Sequence, residues 1–169
     1  MGRVVSVFPA DLVALAKDVL ETCEKQGLML AAAESCTGGL VMACLTAVPG
    51  SSRVVERGFV TYTDEAKIDN LGVAKSLLAE HGAVSEEVSR AMAEGALRRS
   101  PAHIGVGVTG IAGPSGATPE KPVGLVHIAV ARKGRITLHE RHVLDGDREA
   151  VRLKAADIAL RMLHRMANA

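Results

Sequence analysis

Three side chains able to attack an electrophile, Ser35, Cys36 and Thr37, stand together in the segment Ala32-Ala33-Glu34-Ser35-Cys36-Thr37-Gly38-Gly39-Leu40. The apolar run from Leu28 to Ala32 before them reads as a buried strand, and Leu40, Val41, Cys44 and Leu45 after them recur at helical spacing. Ser35 is therefore expected at a strand end, in a glycine-softened turn that enters a helix. A helix start offers unpaired amides and the positive end of the helix dipole. A hydroxyl held there can serve as a nucleophile, with amides close by to stabilise an oxyanion. Taken in isolation, the segment fits a helix cap by Ser35 or Thr37 better.

A second constellation is Thr61-Tyr62-Thr63-Asp64-Glu65-Ala66-Lys67. If Tyr62 closes a strand and Asp64 caps the next helix, Lys67 falls in the first turn of that helix. A cation there opposes the dipole, which disfavours the charged form and suits a lysine general base. The competing reading is an ordinary solvated lysine, and alone that reading is favoured.

Gly105-Val106-Gly107-Val108-Thr109-Gly110 matches the dinucleotide fingerprint letter for letter, but its first two glycines fall inside an expected strand. The useful feature is the loop that follows, Gly110-Ile111-Ala112-Gly113-Pro114-Ser115-Gly116, at a strand end where open α/β sheets bind ligands. A plain surface loop is the competing reading. The six histidines, at 81, 103, 127, 139, 142 and 164, are scattered, and Glu34, Asp64, Glu65 and Asp69 form no cage, so no metal is expected. The nucleophile elbow and the Ser-x-x-Lys tetrad are absent.

The elements that must position these residues follow from hydrophobic period and turn chemistry. Leu12, Leu15, Ala16, Val19, Leu20 and Cys23 describe a first helix, with Pro9 in its first turn and Gly27 past its end. The strand from Leu28 to Ala32 and a helix from about Gly39 to Ala47 come next, and Pro49-Gly50-Ser51-Ser52 is a turn. Val54 to Tyr62 is a strand, Asp64 to about Leu71 a short helix, and Ala74 to Glu80 another helical piece. Ser85 caps a longer helix with Val88, Ala91 and Met92 on its apolar stripe. Ile104 to Val108 is a buried strand. Two long strands, Val123 to Ala131 and Ile136 to Leu144, read as a hairpin through Lys133-Gly134. Asp147 caps a last helix with Val151, Ala155, Ile158, Met162 and Met166 inward. The order implies an α/β layered domain with a mixed sheet.

The 169 residues are enough for one domain with a full core. Hydrophobic residues make up 48%, yet there is no Trp, one Tyr and two Phe, so the core must be aliphatic. The net charge of +1, without a basic face or stacking aromatics, argues against nucleic-acid binding. Three unpaired-looking cysteines, 23, 36 and 44, fit a reducing cytoplasm. Met1 to Pro9 is too short an apolar stretch for a signal peptide, and no run reaches membrane-spanning length. A cytoplasmic location is expected.

Three ordered segments together resemble one family. They are Ala33-Glu34-Ser35-Cys36-Thr37-Gly38-Gly39; Pro49-Gly50-Ser51-Ser52 running on to Arg57-Gly58-Phe59-Val60-Thr61-Tyr62 and Glu65-Ala66-Lys67; and Thr109-Gly110-Ile111-Ala112-Gly113-Pro114 with Lys121-Pro122-Val123-Gly124. They are similar to the C-terminal domain of the CinA (competence/damage-inducible) proteins, whose stand-alone members are nicotinamide-nucleotide amidases. The resemblance runs from about Leu12 to Leu163. It implies a three-layer α/β/α domain with a mixed five-stranded sheet, similar to the anticodon-binding fold. It also implies hydrolysis of the carboxamide of nicotinamide mononucleotide to nicotinate mononucleotide and ammonia, with no cofactor and no metal.

By motif position the resemblance places the nucleophile on Ser35 and its partners on Lys67 and Tyr62. It draws the substrate-binding set from Glu34, Thr37, Gly38, Gly39, Arg57, Thr109, Gly110 and Gly113. The amides of Ser35 to Gly38, or those near Thr109 and Gly110, are both open as oxyanion donors. Glycine-rich backbone or Arg57 are both open for the phosphate. The additional N-terminal domain of larger CinA proteins is not expected here, and nothing of its activity carries over.

The expected partner is a small nucleotide substrate, with no nucleic acid and no membrane; a homo-oligomer is compatible with the sequence. Two other classes compete. A non-catalytic CinA-like binding module in competence or the DNA-damage response would release no ammonia. An RNA-binding domain, suggested by fold analogy alone, would show salt-dependent RNA retention.

Overall fold

The computed structural model describes residues 7–169, so the reading of Met1 to Pro9 as no signal peptide falls mostly outside the described residues. In chain order the elements are α1 (Ala10–Lys25), β1 (Leu30–Glu34), α2 (Leu40–Thr46), a 3-10 turn (Ser51–Arg53), β2 (Val55–Val60), α3 (Asp64–Leu71), α4 (Lys75–His81), α5 (Glu86–Arg98), β3 (Ile104–Gly110), β4 (Leu125–Arg132), β5 (Leu138–Val143) and α6 (Arg148–Ala167). The five strands form one mixed sheet in the order β2-β1-β3-β4-β5. β2, β1 and β3 run parallel, and β4 and β5 are antiparallel to their neighbours.

Helices cover both faces. The core with α1, α2 and α6 collects Val19, Val41, Leu45, Val106, Ile128 and Leu160, and the core with α3, α4 and α5 collects Ala31, Ala33, Leu71, Val88 and Met92. The expected aliphatic core is present: no aromatic ring is among the buried hydrophobic residues.

β1 is Leu-Ala-Ala-Ala-Glu, every residue buried. Alanine is a weak strand former, and the pairing of β1 on both edges is what makes it a strand. It begins two residues later than its sequence suggests. Leu28 N–H is still turned back to the Cys23 carbonyl, and Met29 N–H donates to His103 Nδ1 at 2.9 Å. Sheet pairing therefore opens at Leu30, and the strand runs on through Glu34, which lies opposite Val60 on one side and Val108 on the other. The effect is to place Ser35 directly after the last paired residue.

The fingerprint glycines have a packing role. A Cβ on Gly107 would lie 2.4 Å from the Ser89 carbonyl oxygen, and one on Gly105 would lie 2.5 Å from that of Ala93. They let α5 lie against β3, inside a strand and far from any dinucleotide turn.

Caps at Ser85 and Asp147 form as the sequence indicates, accepting from Val88 and Ala150 amides. Two caps differ. Pro9 is the N-cap of α1 rather than part of its first turn. Thr63, not Asp64, caps α3, because its hydroxyl reaches the Ala66 amide at 3.1 Å while Asp64 is already helical.

Candidate active site

The strand order reverses at β1: the chain passes from β1 to β2 on one side and later places β3 on the other. In open α/β sheets the crevice beyond the carboxyl ends of the strands at such a point is where ligands bind. A cavity of about 320 Å³ lies there, lined by Ser35, Cys36, Tyr62, Lys67, Ala83, Val84, residues 109–113, Ser115, Gly116 and Arg148. A larger groove of about 560 Å³ between α1 and α6 is lined by neither a serine, a cysteine nor a histidine.

Lys67 reaches the cavity floor from the end of the first turn of α3. Helical side chains lean toward the N-terminus, and here that lean folds the lysine back over its own helix start. Its Nζ lies 3.2 Å from Ser35 Oγ, 2.9 Å from the Thr61 carbonyl, 3.3 Å from that of Tyr62 and 3.4 Å from that of Thr63. Only 1% of Lys67 is exposed, which excludes the solvated-lysine reading. Burial pushes its pKa below the ordinary lysine range, with the Asp64 charge opposing in part.

Three carbonyls and the Ser35 hydroxyl oxygen all accept from Nζ, so the protonated amine has an acceptor for each N–H. Loss of one proton, which burial favours, leaves two N–H bonds for the nearer Thr61 and Tyr62 carbonyls and frees a lone pair that can take the Ser35 hydroxyl proton.

Cys36, beside Ser35, is a different case. Burial drives its thiol up to about 12, and the Glu34 charge adds to the rise. A thiol that stays protonated is a poor nucleophile.

The helix start expected to serve an oxyanion is already occupied. Glu34, fully buried, accepts from the amides of Gly39 (3.0 Å) and Val41 (3.1 Å) through Oε2 and from Met42 (3.0 Å) through Oε1. Glu34 thus caps α2 and does not line the cavity. Gly38 and Gly39 adopt φ of +58° and +102°, which the fold-back toward Glu34 requires; they shape the turn and likewise do not line the cavity. The turn closes with Gly38 N–H on the Ser35 carbonyl, a bond that uses neither of the two central amides, those of Cys36 and Thr37.

The remaining expected residues divide. Thr109, Gly110 and Gly113 line the cavity, with the Thr109 hydroxyl donating to the Ala83 carbonyl at 2.9 Å. Thr37 is fully buried away from it, its carbonyl held by Arg152 Nη2 at 3.0 Å. Arg57 is on β2, paired with Glu56 and donating to the Arg99 carbonyl, and does not reach the cavity. Tyr62 is at the rim, 57% exposed, and its hydroxyl accepts from Arg148 Nη2 at 2.9 Å rather than touching the Ser35–Lys67 pair.

Arg148 is the functional residue that the sequence reading passes over. It is the first residue of α6, lines the cavity, and also donates to the Gly113 carbonyl at 2.8 Å. A cation at a helix start is placed against the dipole, and that placement is the cue in the sequence.

Two of the scattered histidines meet: His127 Nδ1 and His139 Nε2 are 3.0 Å apart, with Glu86 3.5 Å from His139. Burial first, and then His139, push His127 down to about 4. Among the described residues no group of three or more His, Cys, Asp or Glu side chains could hold a metal ion, and no helix is long and apolar enough to cross a membrane.

Comparison with known proteins places this geometry in context. The family model described as the CinA C-terminal domain matches residues 12–167. A CinA-like protein of Gemmatimonas aurantiaca is 51% identical over 155 residues, covering 92% of this chain and 35% of its own length. A CinA-like protein of Anaeromyxobacter sp. (strain K) is 50% identical over 166 residues, covering 95% of this chain and 40% of its own. The chain therefore spans well under half the length of these relatives. Among solved structures, the competence/damage inducible protein CihA of Agrobacterium tumefaciens superposes with a TM-score of 0.94 at 48% identity, covering 98% of this chain and 100% of that one. An Escherichia coli protein described as of the competence-damaged protein (CinA) superfamily gives 0.88 at 32% identity, covering 99% and 96%.

Proposed function

Because this chain belongs to the CinA C-terminal domain family, and because a buried lysine sits against its motif serine, we propose that it is a nicotinamide-nucleotide amidase. It hydrolyses the carboxamide of nicotinamide mononucleotide to nicotinate mononucleotide and ammonia. The observation that carries the reading is the contact of 3.2 Å between Lys67 Nζ and Ser35 Oγ, buried where desolvation lowers the lysine pKa.

In the reaction, neutral Lys67 takes the Ser35 proton as Oγ bonds to the amide carbon. The carbonyl π electrons move to oxygen, and the oxyanion is held by the amide of Cys36, a residue that lines the cavity. Lys67 then gives its proton to the amide nitrogen, the C–N bond breaks, and ammonia leaves an ester on Ser35. Water attacks that ester as Lys67 accepts its proton; the collapse breaks the bond to Oγ, Lys67 returns the proton to it, and the acid released ionises to the carboxylate, its proton ending on the ammonia in solution.

The phosphate needs a cation that keeps its charge throughout, which a general base does not. Arg148 is the other cation lining the cavity, and it is assigned the phosphate. Tyr62 supports that guanidinium through its hydroxyl. A cavity of about 320 Å³ is in the range that encloses a small ligand.

Incubation of the protein with nicotinamide mononucleotide, followed by chromatography, tests the reading. Equimolar nicotinate mononucleotide and ammonia are expected; an unchanged substrate at high enzyme concentration would refute it.

A further inference from the structure

We propose that Glu34 is a positioning residue: its carboxylate ties the chain that leaves β1 back onto the end of β1, and so fixes Ser35 against Lys67. The proposal rests on the reading of Ser35 as nucleophile.

Glu34 is held rigidly. Its backbone pairs with Val60 and Val108 on opposite edges, and its carbonyl accepts from Thr61 N–H at 2.8 Å. From this fixed base its side chain collects Gly39, Val41 and Met42 amides. Residues 35–38 therefore form a closed loop, pinned at both ends to one residue of β1, a strand paired on both edges. Ser35 is the first residue of that loop, while Lys67 arrives on a separate element, α3. Their contact survives only if the loop keeps its place in the sheet frame.

Three donors converge on Glu34, and a carboxylate is the acceptor-only group that satisfies them all. In Glu34→Gln the side-chain NH₂ faces at least one of these amides, donor against donor. The burial of Glu34 removes it from substrate contact, which separates its role from ligand binding.

The test uses Glu34→Gln and Glu34→Asp, with Val19→Ala as a control that loosens a buried α1 contact away from the cavity. Kinetics on nicotinamide mononucleotide are measured well below each variant's Tm, and the crystal structure of Glu34→Gln is determined. The expectation is a kcat about 10²-fold lower for Glu34→Gln, because a misplacement near 1 Å costs that much. KM should stay within about twofold, since no substrate contact is lost. The Ser35–Lys67 separation should lengthen beyond hydrogen-bond reach.

Glu34→Asp, which keeps the charge on a shorter arm, should fall between, and it carries the test if Glu34→Gln does not fold. Val19→Ala should lower Tm and leave kcat unchanged. A Glu34→Gln enzyme with wild-type kcat and an intact Ser35–Lys67 contact would overturn the proposal. So would a raised KM with kcat preserved, which would make Glu34 a substrate contact. If the wild-type protein turns over no mononucleotide, the amidase reading falls, and the Ser35–Lys67 separation in the variant crystal still decides the role of Glu34.

Discussion

Arg148 and Tyr62, 86 residues apart in the chain, meet at 2.9 Å across the mouth of the cavity, guanidinium to phenol oxygen. The contact draws the tyrosine hydroxyl away from the Ser35–Lys67 pair and toward the group assigned to the phosphate. Tyr62→Phe should therefore leave kcat within a few-fold of wild type and raise KM modestly, by roughly the 0.5–1.5 kcal/mol of one hydrogen bond. Steady-state kinetics check this. A loss of kcat as large as that of a base deletion would place Tyr62 in proton transfer.

Arg148→Ala should act on binding. A hydrogen-bonded charge is worth about 1.5–3 kcal/mol, which corresponds to roughly 10- to 150-fold in KM for the mononucleotide. The nucleoside lacks the phosphate, so its kcat/KM should change little. Comparing the two substrates in wild type and variant gives the phosphate contribution; an equal loss for both would remove Arg148 from phosphate recognition.

Lys67 works only after losing its proton, and burial moves that ionisation below the ordinary lysine range. The active form is the neutral one, so kcat should rise with pH through this lowered pKa and then level off. Lys67→Met should reduce kcat by about 10² to 10⁴, keep KM and lose the rising limb. A pH–rate series on both proteins is the check, and an intact limb in Lys67→Met would assign it to another group.

Much of this molecule can be read from its residues, and the exceptions have physical causes. Ser35, Lys67 and the loop at Gly110 to Gly113 become candidates through turn chemistry and strand ends, which are local, and the three ordered motifs together lift them above a helix cap, a solvated lysine and a plain loop. Glu34 and Arg148 do not, because their roles are set across distance. Glu34 reads as one more motif carboxylate until its side chain is seen to close the turn on α2. Arg148 belongs to the last helix, and only the sheet order brings it to the cavity. Arg57 shows the converse: it lies in a motif and is a cation, yet its strand carries it toward Glu56 and Arg99. The glycine fingerprint misleads for a similar reason, since Gly105 and Gly107 accommodate a helix crossing that no local spacing reveals.

That crossing gives a stability prediction. Gly107→Ala puts a methyl group against the Ser89 carbonyl and the Ala93 amide, both backbone atoms of α5. Overpacking of this kind costs about 1–3 kcal/mol or more. Urea denaturation should show the midpoint falling with little change in slope. An unchanged midpoint would mean that α5 can move off the sheet freely.

Metal removal should have no effect, since no described side chains group to hold an ion and Lys67 supplies the base. Activity after exhaustive chelation should equal that of the untreated protein. Loss restored only by a divalent ion would end the serine–lysine scheme.

Ammonia release from nicotinamide mononucleotide by three proteins, wild type, Ser35→Ala and Cys36→Ala, tests the central claim most directly. The Cys36 thiol, pushed up to about 12, stays protonated, whereas the Ser35 hydroxyl has its base 3.2 Å away. Ammonia should be released by the wild type, retained in large part by Cys36→Ala and abolished in Ser35→Ala. Turnover that persists in Ser35→Ala and vanishes in Cys36→Ala would contradict the account.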